Sequence, residues 1–195
     1  MSAVLRPRAH ADDAARIALL GTGTVGSAVL DRLVAWSGTP LASRVSLVRV
    51  ANSRTVAHPG GTGDLAALRA NAWPREAIAN PVAALDEVVG ALGTSGTRIV
   101  VDATASDAVA ARHAAWLEQG VHVVTACKLG QGTTLARWQA IRAACVRGRA
   151  RYGDSATVGA GLPVLATLRA LQAGGDRIHA DAGVLSGSLA WLFHQ

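Results

Sequence analysis

The chain alternates between two spacings of apolar residues, one typical of strands and the other of helices. Residues 17–20 form a short apolar run that enters a glycine-rich turn. After the turn, apolar residues recur about one helical turn apart at Val25, Val29, Leu33 and Trp36. This order repeats, so strands are predicted at residues 17–20, 45–50, 98–104 and 121–125, and helices at residues 24–36, 80–92, 106–119, 133–146 and 164–171.

The first turn has the sequence Gly21-Thr22-Gly23-Thr24-Val25-Gly26, which is a Gly-x-Gly-x-x-Gly pattern between a strand and a helix. In this context the first glycine permits a tight turn, the second lets backbone approach a pyrophosphate, and the third lets the helix pack on the strand. The N–H groups at the start of the helix would then bind the anion. The alternative is a βα turn that binds nothing.

Strands that alternate with helices indicate an α/β fold, with a Rossmann-like parallel sheet, flanking helices and right-handed crossovers. We expect a leader or linker remnant at residues 1–15 and a dinucleotide-binding domain at residues 16–150. Residues 55–79 are predicted to be irregular, with a short helical stretch near 65–71. Residues 178–185 alternate like a strand and a helix is cut off at Gln195, so residues 151–195 are expected to begin a further, truncated domain.

Small and polar residues follow the other predicted strands. Ligands in parallel sheets bind beyond the carboxyl ends of strands, so these groups should meet the glycine turn at one edge. They are Ala51, Asn52, Ser53 and Arg54 after the second strand, Thr104 and Ser106 after the third, and Cys127 and Lys128 after the fourth. Their convergence is stronger evidence for a cofactor site than any single motif.

The region after the second strand predicts which cofactor is preferred. No acidic residue lies between Asp31 and Asp64, where an NAD site would carry a carboxylate for the ribose 2′-hydroxyl. Arg54 stands instead where a 2′-phosphate would be, so NADP(H) is predicted to be preferred, with NAD(H) as the second candidate. The alternative for Arg54 is a solvated arginine at a strand end.

Composition excludes several other classes of protein. The net charge is +6, but the arginines are dispersed and not interleaved with aromatic residues, which argues against nucleic-acid binding. No apolar run reaches the ~20 residues of a membrane span, and the first residues lack the apolar region of a signal peptide. The two cysteines have no metal-ligand spacing. We therefore expect a cytoplasmic protein that acts on a small molecule.

Taken together, the motifs resemble the homoserine dehydrogenase family, in the family's order and over nearly the whole chain after residue 16. The sequences of these motifs are most similar to those in the dehydrogenase half of the bacterial bifunctional aspartokinase–homoserine dehydrogenases. The motifs are the glycine turn, Val50-Ala-Asn-Ser-Arg54, Val101-Asp-Ala-Thr104, Gly120-Val-His-Val-Val-Thr-Ala-Cys-Lys128, Ala156-Thr-Val-Gly-Ala-Gly-Leu-Pro163 and Gly183-Val-Leu-Ser-Gly-Ser188.

The resemblance implies reduction of L-aspartate 4-semialdehyde to L-homoserine with NAD(P)H, on the route to threonine and methionine. It implies that residues 21–26 bind the pyrophosphate, that Arg54 lies near the adenosine ribose, and that Thr104 and Ser106 lie near the nicotinamide half. Lys128, the chain's only lysine, matches a family lysine close to the reacting carbonyl. A protonated amine there would polarise the aldehyde and supply a proton. A lysine in a loop salt bridge is the alternative.

The remaining implied sites lie in residues 151–195, which the resemblance makes the start of an α+β substrate and dimerisation domain. Gly187 and Ser188 belong to the substrate-side turn. The backbone carbonyls of Val158, Ala160 and Leu162 could coordinate sodium or a similar hard cation.

Three departures from the family pattern matter. Cys127 replaces the family's asparagine. Ser155 stands where the sodium loop carries a carboxylate, with Asp154 one residue earlier. The family's acidic substrate ligands and second catalytic lysine are absent from the sequence.

Two classes of function therefore stay open. One is an oxidoreductase of the homoserine dehydrogenase type, as a homodimer or with a partner that carries the missing half. The other is a non-catalytic NADP-binding fragment, split subunit or sensor. A Rossmann-like interaction domain without ligand is a third interpretation.

Overall fold

The computed structural model describes residues 14–59, 67, 74–183 and 187–194. Its strands are β1 (Ala15–Leu20), β2 (Val45–Ala51), β3 (Thr55–Ala57), β4 (Glu76–Ala77), β5 (Arg98–Asp102), β6 (His122–Thr125) and β7 (Tyr152–Gly153). Its helices are α1 (Thr24–Ala35), α2 (Val88–Leu92), α3 (Asp107–Ala110), α4 (His113–Glu118), α5 (Leu135–Arg147), α6 (Val164–Ala173) and α7 (Gly187–Phe193). Short 3₁₀ turns lie at Ala42–Arg44, Ala83–Leu85, Lys128–Gly130 and Ser155–Thr157.

The strands form one seven-stranded sheet in the order β4-β3-β2-β1-β5-β6-β7. From β2 to β7 across the sheet, neighbouring strands run parallel, which confirms the predicted Rossmann-like α/β class. The chain leaves β1 for β2 on one side and returns to β5 on the other. The strand order therefore reverses beside β1, and a crevice opens beyond the carboxyl ends of these strands.

The edge formed by β3 and β4 is a feature that the sequence analysis missed. Both strands pair antiparallel to their neighbours, within the segment predicted to be irregular. They have three and two residues, so they are too short to show an alternating pattern. The helical stretch predicted near residues 65–71 lies outside the described residues except for Ala67, which is helical.

Two apolar layers cover the two faces of the sheet. On one face Ile17, Leu19 and Leu47 pack with Leu30 and Leu33 of α1. On the other face the core includes Ala18, Val100 and Val123 of the strands with Trp116 of α4 and Ile141 of α5. Alternate residues of β1 thus contribute to opposite layers, as expected for a central strand buried on both sides.

The helix predicted at residues 80–92 begins as expected but is not continuous. The Asn80 side-chain oxygen accepts hydrogen bonds from the N–H groups of Val82 and Ala83, both at 3.1 Å. A 3₁₀ turn follows, and then the short helix α2. The Ala84 carbonyl accepts a hydrogen bond from the Arg49 guanidinium at 3.1 Å, which diverts an acceptor that a continuous helix would use.

The helix predicted at residues 106–119 is likewise divided, into α3 and α4. Ser106 caps the first of these helices, and its hydroxyl accepts a 3.4 Å hydrogen bond from the Val109 N–H. The second helix begins at His113, whose ring is fully buried and hydrogen-bonded at both nitrogens. We attribute the break to the fixed position of this ring.

Two expectations from apolar spacing are wrong. Val25 of α1 is 48% exposed, and the buried residues of that helix are Gly26, Leu30 and Leu33. Residues 178–183 have no regular structure and are exposed instead of forming a strand, and 184–186 lie outside the described residues. Among the strands described, none pairs with this segment, and a strand without a partner leaves its backbone groups unpaired.

The described helices include none with the length and apolarity needed to cross a membrane.

Candidate functional site

A cleft of about 690 Å³ opens at the carboxyl edge of the sheet. It is bordered by the turns that follow β1, β2 and β5 and by the segment around the 3₁₀ turn Ala83–Leu85. The predicted residues that line it are Gly21, Thr22, Gly23, Ala51, Asn52, Ser53, Arg54, Thr104 and Ser106. The structure therefore brings together three of the four predicted strand-end groups.

Steric contacts explain two of the glycines in the turn. Gly21 has a φ of +95°, and a Cβ there would lie 2.6 Å from the Ala103 carbonyl oxygen. A Cβ on Gly26 would overlap the Gly21 carbonyl oxygen, because α1 packs directly on the turn. Gly23 differs, since a Cβ there would meet nothing within 4 Å. The space above Gly23 is open to the cleft.

The amino terminus of α1 points its N–H groups at this space. Gly23 is the N-cap residue, and among the described side chains none caps the helix. The first N–H groups of a helix have no partner within it, and the helix dipole adds a partial positive charge. An anion above Gly23 would accept hydrogen bonds from these N–H groups and would be attracted by this positive charge. The residues present therefore fit a dinucleotide pyrophosphate.

Asn52 ties the turn after β2 to the glycine turn. Its side-chain N–H donates to the Thr22 hydroxyl at 3.0 Å. Its side-chain oxygen accepts from the N–H groups of Arg54 and Thr55 at 2.8 and 2.9 Å. The Arg54 guanidinium has no hydrogen bond or ion pair within the described part of the chain. Because Asn52 holds the Arg54 backbone, this free cation is kept at the rim of the cleft.

Arg49 also lines the cleft, and the sequence analysis did not predict it. It lies inside β2 and is buried, as described further below. Among the described lining residues there is no carboxylate, so the charges at this end of the cleft are the two arginines Arg49 and Arg54. The available signal was a charged residue inside a predicted strand.

A buried polar network supports the third turn, after β5. One oxygen of Asp102 accepts from the N–H and the hydroxyl of Thr104 at 2.9 and 2.7 Å. Its other oxygen lies 3.1 Å from Nε2 of His113 and 3.2 Å from the Thr125 hydroxyl. Nδ1 of His113 lies 3.0 Å from the Tyr152 hydroxyl. The cleft residue Thr104 is therefore positioned by a carboxylate with several partners.

The network also determines the ionisation of its members. Burial raises the pKa of the Asp102 carboxyl, but hydrogen bonds from His113 and Thr104 outweigh burial and hold that pKa below its usual value. Burial raises the pKa of the Tyr152 phenol. At neutral pH Asp102 is therefore ionised and Tyr152 carries its proton. The sequence analysis missed His113 and Tyr152, because 39 residues separate them.

Residues 21–152 match the family model described as Homoserine dehydrogenase, NAD binding domain. The chain belongs to the homoserine dehydrogenase family. The resemblance predicted from its motifs is thus confirmed.

Relatives of the family match to different extents. A homoserine dehydrogenase of Emericella nidulans is 33% identical over 185 residues, covering 91% of this chain and 49% of that protein. Chloroplastic bifunctional aspartokinase/homoserine dehydrogenase 2 of Arabidopsis thaliana is 41% identical over 96 residues, which are 49% of this chain and 10% of that protein. The chain thus spans about half the length of the Emericella relative.

A solved structure supports the fold. A hyperthermophilic archaeal homoserine dehydrogenase in complex with NADPH superposes with a TM-score of 0.63 at 19% identity, covering 79% of this chain and 47% of that one. At this identity the likeness concerns the fold.

Lys128, which the resemblance matches to a family lysine, lies outside the lining of the cleft. It is exposed and begins the 3₁₀ turn after β6. The preceding Cys127 is buried, and its N–H donates to the Thr125 hydroxyl at 2.9 Å. Burial raises the pKa of the Cys127 thiol, so this departure from the homoserine dehydrogenase pattern places a protonated packing residue there.

The structure gives no support for a cation at the loop expected to bind sodium. The Asp154 carboxylate is buried and pairs with both terminal nitrogens of Arg169 at 2.6 and 2.9 Å. The Leu162 carbonyl accepts the Val164 N–H at 2.9 Å. We therefore assign no step to a cation.

The other expected carbonyls belong to Val158 and to Ala160, which has a φ of +50°. Gly187 and Ser188, the expected substrate-side residues, open α7.

Proposed function

We propose that the chain is the cofactor-binding part of a homoserine dehydrogenase that reduces L-aspartate 4-semialdehyde to L-homoserine. The observation that carries the proposal is the uncapped amino terminus of α1 facing the open space above Gly23, at the edge where β1, β2 and β5 end. Family membership supports the reaction. A homodimer, or a partner chain that supplies the rest of the substrate site, and a cytoplasmic location belong to the same proposal.

NADP(H) is the cofactor that the charges favour. An NAD site would place a carboxylate at the adenosine ribose. The described lining residues of this cleft include Arg49 and Arg54 and no acid. The archaeal homoserine dehydrogenase of similar fold was solved with NADPH, which agrees with a nicotinamide cofactor here. NAD(H) stays the second candidate.

In the proposed reaction a bound reduced nicotinamide supplies a hydride to the aldehyde carbon. The chain contributes a Thr104 that is fixed in the cleft, because the Asp102 carboxylate accepts hydrogen bonds from both its N–H and its hydroxyl. Lys128 would then donate a proton to the carbonyl oxygen as the alkoxide develops. This role needs the substrate to lie between the cleft and the 3₁₀ turn that Lys128 begins.

One experiment tests the binding step and a second tests the reaction. NADPH and NADH are titrated against the purified chain while nicotinamide fluorescence is followed. The proposal predicts a saturable change and a lower dissociation constant for NADPH. Absence of binding by either nucleotide would refute it and leave the interaction domain as the remaining interpretation. Aspartate semialdehyde turnover is then measured for the chain, alone and with the carboxyl-terminal half of a homoserine dehydrogenase.

The second candidate function is a non-catalytic NADP-binding fragment or split subunit. It is favoured by one observation, namely that Lys128 does not line the cleft with the other predicted residues. Saturable NADPH binding without turnover in either preparation would establish this candidate instead of the enzyme.

A further inference from the structure

Arg49 is a buried cation in the wall of the cleft. It lies within β2 and only 2% of its surface is exposed. Its guanidinium donates from Nη2 to the Ala84 carbonyl at 3.1 Å and to the Glu87 carboxylate at 3.2 Å. Both contacts are on the segment around the 3₁₀ turn Ala83–Leu85, which borders the cleft. The side chain is therefore held in place before any ligand binds.

The guanidinium is only partly satisfied by these contacts. Both hydrogen bonds are donated by Nη2. The Nε atom is buried without a hydrogen-bond partner in the described structure. The charge is also only partly compensated, because the Glu87 side chain is 68% exposed and thus screened by water. A buried donor without a partner is unfavourable, so a ligand that supplies an acceptor or a negative charge here would be bound more strongly.

The surroundings of Arg49 indicate what such a ligand carries. Arg49 lines the same cleft as Arg54, which reaches it from the exposed turn after β2. Ile78 and Leu85 add apolar surface beside the two cations. Two guanidinium groups beside an apolar wall suit an aromatic ring with an attached phosphate, because arginine binds phosphate oxygens and stacks on rings.

We propose that Arg49 is a specificity-determining residue that selects the 2′-phosphorylated form of the adenine nucleotide. This inference rests on the proposed function and extends it. Arg54 supplies an exposed charge at the rim, whereas Arg49 supplies a fixed charge in a less hydrated wall, where an ionic contact is stronger. Because Arg49 is already ordered, the contact requires little further loss of side-chain entropy.

The test compares nucleotides that differ only in the 2′-phosphate. Dissociation constants of 2′,5′-ADP and 5′-AMP are measured by calorimetry, and those of NADPH and NADH by fluorescence. In Arg49→Met we expect the affinity for 2′,5′-ADP and NADPH to fall about tenfold, the size of one charge-assisted hydrogen bond. The affinity for 5′-AMP and NADH should change less than twofold.

Arg16→Met is the matched control. Arg16 also has a buried Nε without a partner in the described structure, but it lies at the opposite, amino-terminal end of the sheet. The Arg16→Met variant removes the same charge from the chain. It should leave the affinities for 2′,5′-ADP, 5′-AMP, NADPH and NADH within twofold of those of the unmodified chain. An equal loss in Arg16→Met would show that net charge, not position, causes the effect.

A third variant leaves Arg49 in place, in case Arg49→Met does not fold. Glu87→Gln removes the competing carboxylate, so 2′,5′-ADP should bind about twofold or more tightly while 5′-AMP binding is unchanged. Unchanged 2′,5′-ADP binding in this variant would contradict the proposal. An equal loss of 2′,5′-ADP and 5′-AMP binding in Arg49→Met would also contradict the proposal. That result would indicate that Arg49 only supports the structure of the 3₁₀ turn.

The two proposals fail in different ways. If the unmodified chain binds NADPH but Arg49→Met keeps full discrimination, the role of Arg49 is refuted and the proposed function stands. If the unmodified chain binds no nicotinamide nucleotide, the proposed function itself is refuted.

Discussion

Nε2 of His113 lies 3.1 Å from a carboxylate oxygen of Asp102, and both side chains are completely buried. The other oxygen of this carboxylate holds Thr104 at the edge of the cleft. A contact in the core is therefore linked to the cleft through one side chain. The Tyr152 hydroxyl extends the network to β7.

Asp102→Asn is expected to destabilise the fold by about 3 kcal/mol at pH 7, because it removes a buried carboxylate that is hydrogen-bonded to Thr104, His113 and Thr125. The effect should depend on pH. The pKa of Asp102 is lowered in the folded state, so its stabilisation is present above the unfolded-state pKa of about 3.9 and is lost as pH falls through the lower folded value. Urea unfolding at pH 7, 5, 4 and 3 measures this.

The difference in unfolding free energy between Asp102→Asn and the unmodified chain should shrink below about pH 4. Thr133→Ser, on an exposed loop, is a control that should be nearly neutral at every pH. A difference for Asp102→Asn that stays constant down to pH 3 would contradict the ionised carboxylate.

Position 130 requires a glycine because it lies against the buried network of Asp102, His113 and Tyr152. A Cβ at this position would overlap the Tyr152 hydroxyl and lie 3.0 Å from Nδ1 of His113. Gly130→Ala should destabilise the fold by about 1–3 kcal/mol through overpacking. In Tyr152→Phe the hydroxyl is absent, so Gly130→Ala should cost less in that background. Thermal unfolding of both single variants and the double variant measures the coupling; strict additivity would show that the overlap is relieved elsewhere.

Gly23→Ala should separate binding from folding. The added methyl group meets no protein atom within 4 Å, so the free energy of unfolding should change by less than about 1 kcal/mol. It would occupy the space proposed for the pyrophosphate, and NADPH affinity should fall at least about tenfold. Fluorescence titration and thermal unfolding are measured on the same sample.

Gly26→Ala is the informative comparison for Gly23→Ala. Its methyl group would overlap the Gly21 carbonyl oxygen, so this variant should lose both stability and binding. If Gly23→Ala binds NADPH normally, the nucleotide does not approach the turn as proposed.

Lys128→Met should affect turnover and not cofactor binding. Lys128 is exposed and does not line the cleft, so the NADPH dissociation constant should stay within about twofold. If Lys128 donates the proton, kcat should fall about 10²–10⁴-fold in a preparation that reduces the semialdehyde. Lys128→Arg keeps the charge but donates protons poorly, and it should restore little activity. Full activity of Lys128→Met would assign this lysine to a structural contact.

The local features of this protein followed from its sequence. The strand, glycine turn and helix at residues 17–36 were predicted because each depends on neighbours a few residues away. The helix caps Asn80, Ser106 and Thr134 are equally local, because each side chain accepts a hydrogen bond from an N–H group two or three residues further along the chain. Parallel strands followed from alternation with helices, and so did the meeting of three turns at one edge.

Other features depended on contacts between distant residues. Asp102, His113 and Tyr152 meet because β5, α4 and β7 pack together, and a single buried histidine carries no local signal of its partners. Arg49 donates a hydrogen bond to the Ala84 carbonyl, 35 residues away, at the point where a predicted helix is interrupted. A strand pattern at residues 178–183 remained without strand structure, because pairing requires a neighbour that periodicity does not specify. Whether Lys128 lines the cleft depends on the path of the chain after β6. Only the tertiary structure decided this.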